Sequence, residues 1–170
     1  GLFLFCPHGT GKTSSVYAYA KAHNYEVLEL NASDGRNQSD LREFLSKATG
    51  QASLFGNKKI ILLDEVDGLS GTKDRGAPGV IAEYIAKSSF PIVMTGIDVF
   101  DKKFSKLKKS SELVAFHPLK TSEVTHILKA VVGRENLDVA NDDLRQLSRN
   151  AGGDARAALN DLFSFVIIKE

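Results

Sequence analysis

The chain has 170 residues, 22 Lys+Arg against 21 Asp+Glu for a formal net charge of +1, and 42% hydrophobic residues. That length suits one domain, or one with a small appendage, and the apolar content excludes a disordered chain, which needs low hydrophobicity and a strong net charge. The near-neutral balance argues against a dedicated nucleic-acid arm but leaves room for a local basic patch, and no run approaches the roughly 20 apolar residues of a membrane span. The lone Cys6 excludes an intrachain disulfide and a zinc cluster, and fits a reducing compartment. The chain opens at Gly1 without a charged leader, so no signal peptide is expected. Gly1 to Cys6 already reads as a strand, which suits a piece cut at an element boundary.

In chain order, Leu2-Phe3-Leu4-Phe5 predicts a short first strand, and Lys12 to His23 a helix containing Val16, Ala18 and Ala20. Glu26 to Leu30 alternates with period two, as a strand does. Ser39 to Thr49 carries Leu41, Phe44 and Leu45 at helical spacing. Ile60-Ile61-Leu62-Leu63 is the strongest strand signal, apolar on both faces. Val66 to Gly79 holds Gly68, Gly71, Gly76 and Gly79 and predicts a mobile loop. Gly79 to Lys87 carries a helix stripe of Val80, Ile81, Tyr84 and Ile85, and Phe90 to Met94 and Leu113 to Phe116 predict the last two strands. Strands alternating with helices imply a five-stranded parallel sheet flanked by helices, an α/β domain over residues 1–118. After Pro118 the pattern is helical throughout. Thr121 is the expected N-cap of a helix striped by Val124, Ile127, Leu128 and Val131. Leu144 and Leu147 mark a second helix, and Ala155, Ala158, Leu159, Leu162, Phe163 and Val166 a third. Residues 119–170 therefore read as a small all-α unit.

Gly9-Thr10-Gly11-Lys12-Thr13 follows the first strand and opens the first helix, the setting a phosphate loop requires. Backbone N–H groups of a Gly-rich turn and a helix N-terminus converge on one anion. Pro7, His8, Gly9, Thr10, Gly11, Lys12, Thr13 and Ser14 are the candidate nucleotide-binding residues, with Lys12 reaching the β- and γ-phosphates and the Thr13 hydroxyl ligating Mg²⁺. The bland alternative is a Gly-rich turn beside a lysine. The full pattern starts with Gly where this chain has Cys6, which is expected to be a small buried residue. Asp64-Glu65-Val66-Asp67 ends the apolar strand, where Asp64 would hold Mg²⁺ through its water shell and Glu65 would activate an attacking water. A strand-terminating acidic turn is the alternative there. Both signals in this order point to nucleotide binding.

Asn31 to Asp34 and Thr95 to Asp98 follow the second and fourth strands, and in open α/β sheets ligands bind beyond the carboxyl ends of the strands. Asn31 to Asp34 also suits a turn capping the next helix. Arg156, with Asn160 one turn on, opens the third helix of the second unit, and an arginine there could stabilise charge on a γ-phosphate. Lys102, Lys103, Lys106, Lys108 and Lys109 stand against the single acid Asp101; they form either a nucleic-acid backbone contact or a solvated face. The four histidines show no metal-ligand spacing.

These residues together resemble an AAA+ P-loop ATPase, more narrowly a clamp loader of the replication factor C type, over nearly the whole chain. Glu29-Leu30-Asn31-Ala32-Ser33-Asp34 resembles the clamp-loader motif after the second strand, and Asp64-Glu65-Val66-Asp67-Gly68 the Walker B box. Asp74-Arg75-Gly76 with the following helix and Phe90-Pro91-Ile92 resembles the large-subunit class of archaeal replication factor C, and Gly153-Asp154-Ala155-Arg156 the sensor 2 motif. The resemblance implies ATP–Mg²⁺ on Lys12 and Thr13, metal ordering by Asp64, general-base catalysis by Glu65, and a helical lid, residues 119–170, reporting through Arg156. It further implies a hetero-oligomer of clamp-loader subunits that opens a sliding clamp and loads it at primer–template DNA during replication. The setting is then the cytoplasm of an archaeon, or the nucleus of a eukaryote, with no membrane partner.

Three departures bear on turnover. The loop opens with Cys6 and carries His8 where the family usually has proline. The sensor 1 position is Ile97 where the family usually has asparagine, with Thr95 and Asp98 nearby as substitutes. Isoleucine cannot orient a water, and losing one orienting group costs on the order of 10²–10³ in rate, so binding is expected to survive better than hydrolysis. Lys109-Ser110-Ser111 lacks the arginine of the family's arginine-finger motif, so this chain would not complete a neighbour's site. The alternative is a nucleotide-binding structural subunit with little or no hydrolysis of its own. A helicase motor would need a second recombinase-like domain, and a small-molecule phosphotransferase would not explain the Asn31–Asp34 string or Arg156.

Overall fold

The computed structural model describes residues 1–32, 38–50, 58–69 and 76–169. Among these residues the five strands are β1 Leu2–Phe5, β2 Tyr25–Asn31, β3 Lys58–Asp64, β4 Ile92–Gly96 and β5 Glu112–Ala115. The helices are α1 Lys12–Ala22, α2 Gln38–Gly50, α3 Ala77–Lys87, α4 Ser105–Ser110, α5 Thr121–Glu135, α6 Asn141–Asn150 and α7 Ala155–Lys169. All strand pairs are parallel, in the order β2-β3-β4-β1-β5. Parallel neighbours need crossover connections, and helices on the sheet faces supply them. This is the α/β architecture, a five-stranded parallel sheet flanked by helices, that the alternation of patterns predicts.

The chain divides into two compact units, one of Gly1–Cys6 with Lys12–Ala115 and one of Pro7–Gly11 with Phe116–Glu170. In the first, β3 is buried continuously from Lys59 to Leu63, as a strand covered on both faces must be. Ile61, Leu63, Met94, Phe3, Leu41, Leu45 and Ile81 share one core, and each fully buried side chain of this size contributes about 1.5–3 kcal/mol. Tyr17 on α1 donates to the Glu29 carboxylate on β2, and that bond pushes the phenol up to about 12.

Several boundaries differ from those predicted. Phe90 and Pro91 stand before β4, not in it. Proline has no N–H to give a ladder, and the Phe90 N–H donates to Ser88 Oγ at 3.0 Å in a turn. The strand runs on instead through Thr95 and Gly96, all of it buried. Within Val66 to Gly79, predicted as one loop, Val66–Gly68 is a 3-10 turn, Ala77 and Gly79 are helical, and residues 70–75 lie outside the described residues. Finally, the basic stretch contains a 3-10 turn over Lys102–Phe104 leading into α4. Its two apolar anchors, Phe104 and Leu107, are fully buried.

In the second unit, α5, α6 and α7 pack around Val124, Leu128, Leu144, Ala158 and Leu162. Thr121 is the first helical residue rather than the N-cap: Lys120 caps α5, and its N–H is taken by the Glu123 carboxylate at 2.7 Å. Asn136 closes the helix in the left-handed conformation at φ 54, where asparagine is among the few tolerated residues. No helix among the described residues is long and apolar enough to cross a membrane.

Candidate functional site

Parallel pairing brings the carboxyl ends of the strands to one side of the sheet. Asn31 lies beside Asp64 in the β2–β3 register, Leu63 beside Met94, and Leu4 beside Thr95. Because β4 lies between β1 and β3, Thr95 stands between the strand that feeds the Gly-rich turn and the strand that ends in acid.

In the first unit, Lys12 and Thr13 begin α1. The Lys12 ammonium is nearly buried and donates to the Cys6 carbonyl at 2.8 Å. Cys6 is itself buried, as expected for a small apolar residue. Thr13 Oγ1 donates to Asp64 Oδ1 at 2.7 Å, joining residues that are 51 positions apart in sequence. Thr95 is 1% exposed, and its hydroxyl donates to the same Asp64 oxygen at 2.5 Å and accepts the Glu65 N–H at 3.0 Å. Glu65 is left-handed, φ 55 and ψ 50. For a residue with a Cβ this conformation costs roughly 1–2 kcal/mol, and strain of this kind gathers at functional sites. Ser14 is exposed in the first turn of α1.

A hydroxyl and a carboxylate are the hard oxygen donors that Mg²⁺ takes, since this ion keeps several waters and uses one or two protein carboxylates. Thr13 and Asp64 fit it. Among the described residues no group of three or more His, Cys, Asp and Glu could hold a metal ion.

In the second unit, the loop residues Pro7, His8, Gly9, Thr10 and Gly11 accompany the helices. Gly9 and Gly11 have φ +67 and +89, a region that only glycine enters freely. A Cβ on Gly9 would also stand 1.7 Å from Asp154 Oδ1. The Gly9 carbonyl accepts the Ala155 N–H at 3.0 Å, and Asp154 Oδ1 caps α7 through the Ala157 N–H at 2.9 Å. Thr10 Oγ1 donates to the Pro7 carbonyl at 3.2 Å, and His8 is exposed. Arg156 and Asn160 are exposed on α7.

Ile97 is exposed just after β4, and its N–H donates to Asp67 Oδ2 at 2.6 Å. In the basic stretch, Lys103 donates to the Asp67 carbonyl at 3.1 Å and lies 4.8 Å from the Phe104 ring centre, while Lys108 covers the exposed Phe100 ring. Lys102, Lys106 and Lys109 are exposed. Ser33 and Asp34 of the string after β2, and Asp74 and Arg75, lie outside the described residues. Sequence reasoning missed the double role of Thr95 and the clamp by Asp67. A buried hydroxyl in an apolar strand is a local signal for the first; the second depends on a contact between distant residues.

Residues 2–88 match the model of the ATPase family associated with various cellular activities (AAA). The replication factor C large subunit of Nanoarchaeum equitans is 44% identical over 165 residues, covering 97% of this chain and 38% of the relative. That of Staphylothermus marinus is 42% identical over 159 residues, covering 94% and 38%, and that of Thermofilum pendens 40% over 168, covering 98% and 41%. The chain thus spans about two fifths of the length of these relatives. A Gly-rich turn between β1 and α1, an acidic end to β3 and a parallel sheet in the order β2-β3-β4-β1-β5 agree with that match, and the chain belongs to the AAA family of ATPases.

Proposed function

We propose that this chain is the ATP-binding and ATP-hydrolysing part of a DNA sliding-clamp loader, a piece of a large subunit of the replication factor C type. It works in DNA replication with small clamp-loader subunits in a hetero-oligomer, opening the clamp and loading it at primer–template junctions. The observation that carries the nucleotide part is the Thr13–Asp64 bond, which joins the end of the Gly-rich turn to the acidic end of β3. The names of the relatives support the clamp-loader part.

Residue roles follow from chemistry. Backbone N–H groups of Gly9 to Thr13 cradle phosphate, with Pro7, His8 and Ser14 at the margins of the turn. Lys12 would exchange the Cys6 carbonyl for β- and γ-phosphate oxygens. Thr13 and Asp64 would hold Mg²⁺, which would supply neutralisation of phosphate charge. Glu65 accepts the proton of the attacking water. Arg156, in residues 119–170, would supply a guanidinium able to stabilise charge on the γ-phosphate. The AAA domain is residues 1–118, and the protein acts in the cytoplasm if archaeal or in the nucleus if eukaryotic. Lys102, Lys106 and Lys109 are the lysines of the basic stretch best exposed to a DNA backbone.

A second reading, a nucleotide-binding structural subunit with weak turnover, is favoured by Ile97. Its side chain has no polar group, and its N–H is committed to Asp67. The test is co-purification with candidate small subunits and a sliding clamp, with and without ATP, alongside steady-state hydrolysis. ATP-dependent association is expected; none at saturating ATP overturns the clamp-loader reading. Loss of the assembly's hydrolysis on Glu65→Gln in this subunit alone rules out the structural reading, because general acid–base groups contribute about 10²–10⁴ in rate.

A further inference from the structure

We propose that Thr95 is a positioning residue for hydrolysis, and that it acts by holding Asp64 and Glu65 rather than by orienting water. The proposal rests on the roles given above to those two residues.

A threonine hydroxyl has one proton to donate and two lone pairs to accept with. Thr95 uses both capacities on adjacent residues. It donates to Asp64 Oδ1 at 2.5 Å and accepts the Glu65 N–H at 3.0 Å. At 1% exposure it is shielded from water, so neither bond has solvent competing for it. The two bonds do different things. The first turns the carboxylate of Asp64, which also accepts from Thr13, and so sets the direction of the oxygen donors at the metal position. The second satisfies the N–H of a residue in left-handed geometry. The peptide between β3 and the following turn is thereby fixed, and the angle at which the Glu65 side chain leaves the backbone is fixed with it. The carbonyl of Glu65 is tied as well, accepting the Gly68 N–H at 2.9 Å.

Ile97 cannot do this. It is 43% exposed, two residues beyond Thr95, and offers Asp67 only its backbone N–H. Positional control of the acidic pair therefore falls to the last buried polar side chain of β4. Partners that orient a ligand or base without touching substrate are typically worth about 10–100-fold in affinity or activity.

The experiment compares Thr95→Val, which keeps the volume and removes the hydroxyl, with Thr95→Ser, which keeps the hydroxyl and removes the methyl. Turnover in the assembled complex, ATP affinity with and without Mg²⁺, and melting temperature are measured for each, with Glu65→Gln in parallel. Thr95→Val is expected to lower kcat about 10–100-fold, leave Mg²⁺-free affinity within twofold or so, and shrink the Mg²⁺ enhancement of affinity. Thr95→Ser is expected to restore kcat and the Mg²⁺ effect even if it melts lower. A packing role predicts the reverse, with Ser the worse variant. Parent-like kcat and Mg²⁺ enhancement in Thr95→Val overturn the proposal. If Thr95→Val does not fold, Thr95→Ala against Thr95→Ser carries the same comparison, and equal loss in both overturns it. Retained hydrolysis in Glu65→Gln sinks the general-base reading instead, and so separates the two failures.

Discussion

Replacing Lys12 with methionine separates the apo structure from nucleotide binding. Lys12 is 9% exposed, and its ammonium donates to the Cys6 carbonyl at 2.8 Å. Lys12→Met keeps the unbranched stem but removes the donor. The carbonyl then loses a hydrogen bond, at about 1–3 kcal/mol, while the relief of a desolvated charge works in the opposite direction. The net change in melting temperature is expected to stay within a few degrees, since 1 kcal/mol moves a chain of this size by about 2–4 °C. Nucleotide binding has no such offset. A hydrogen bond to a charged group is worth about 1.5–3 kcal/mol, or roughly 10–150-fold in affinity.

The assay is thermal denaturation at one fixed ATP concentration, set at about a hundred times the parent's dissociation constant. Ligand at that excess stabilises the parent by about 2.7 kcal/mol, a rise of roughly 5–11 °C. With affinity lowered about a hundredfold, the same concentration only equals the variant's dissociation constant, and stabilisation falls to about 0.4 kcal/mol. The ATP-induced rise should shrink to roughly 1–2 °C while the apo melting temperature barely moves. A full parent-sized rise in Lys12→Met refutes the assignment of this turn as a phosphate loop. An apo collapse would show instead that the Lys12–Cys6 bond is chiefly structural.

Gly9→Ala should destabilise the second unit, because φ +67 is unfavourable to alanine and the new methyl meets Asp154 Oδ1. Adding Asp154→Ala removes the clash but not the backbone cost, and also removes the α7 cap, itself worth about 1 kcal/mol; melting curves of the single and double variants measure each part. Phe104→Ala should cost about 3–5 kcal/mol in chemical denaturation, since Phe104 is fully buried and packs edge-on to Phe3 with ring centres 5.8 Å apart. If the basic stretch meets DNA, Lys102→Ala and Lys109→Ala should each lower the salt slope of binding by about 0.9 without a change in melting temperature. Lys103→Ala should also lower melting, because it loses the bond to the Asp67 carbonyl.

Much of the site was legible in the chain itself. Gly9 to Thr13 follows a strand and opens a helix, and its pattern is readable because the loop's chemistry is local. Ile60 to Leu63 reads as a buried strand because its apolar run admits no solvent face, and the acids that end it mark where that strand leaves the core. The helices of residues 119–170 announce themselves through stripes such as Val124, Ile127, Leu128 and Val131, since one face of each must be buried.

What periodicity could not decide depends on which strands become neighbours. β4 lies between β1 and β3, and pairing between segments distant in sequence leaves no local trace in either. That order alone brings Thr95 to Asp64 and Glu65, and Asp67 to the backbone of Ile97. The six residues of α4 and the turn before it looked like a charge run because only Phe104 and Leu107 carry their burial, and two apolar residues do not make a period. The left-handed Glu65 was equally invisible, because its conformation is held by a hydroxyl from another strand. The sequence by itself determined the elements and the chemistry at their ends; only the tertiary structure decided which of those ends touch, because hydrophobic pattern is a property of one segment and contact is a property of two.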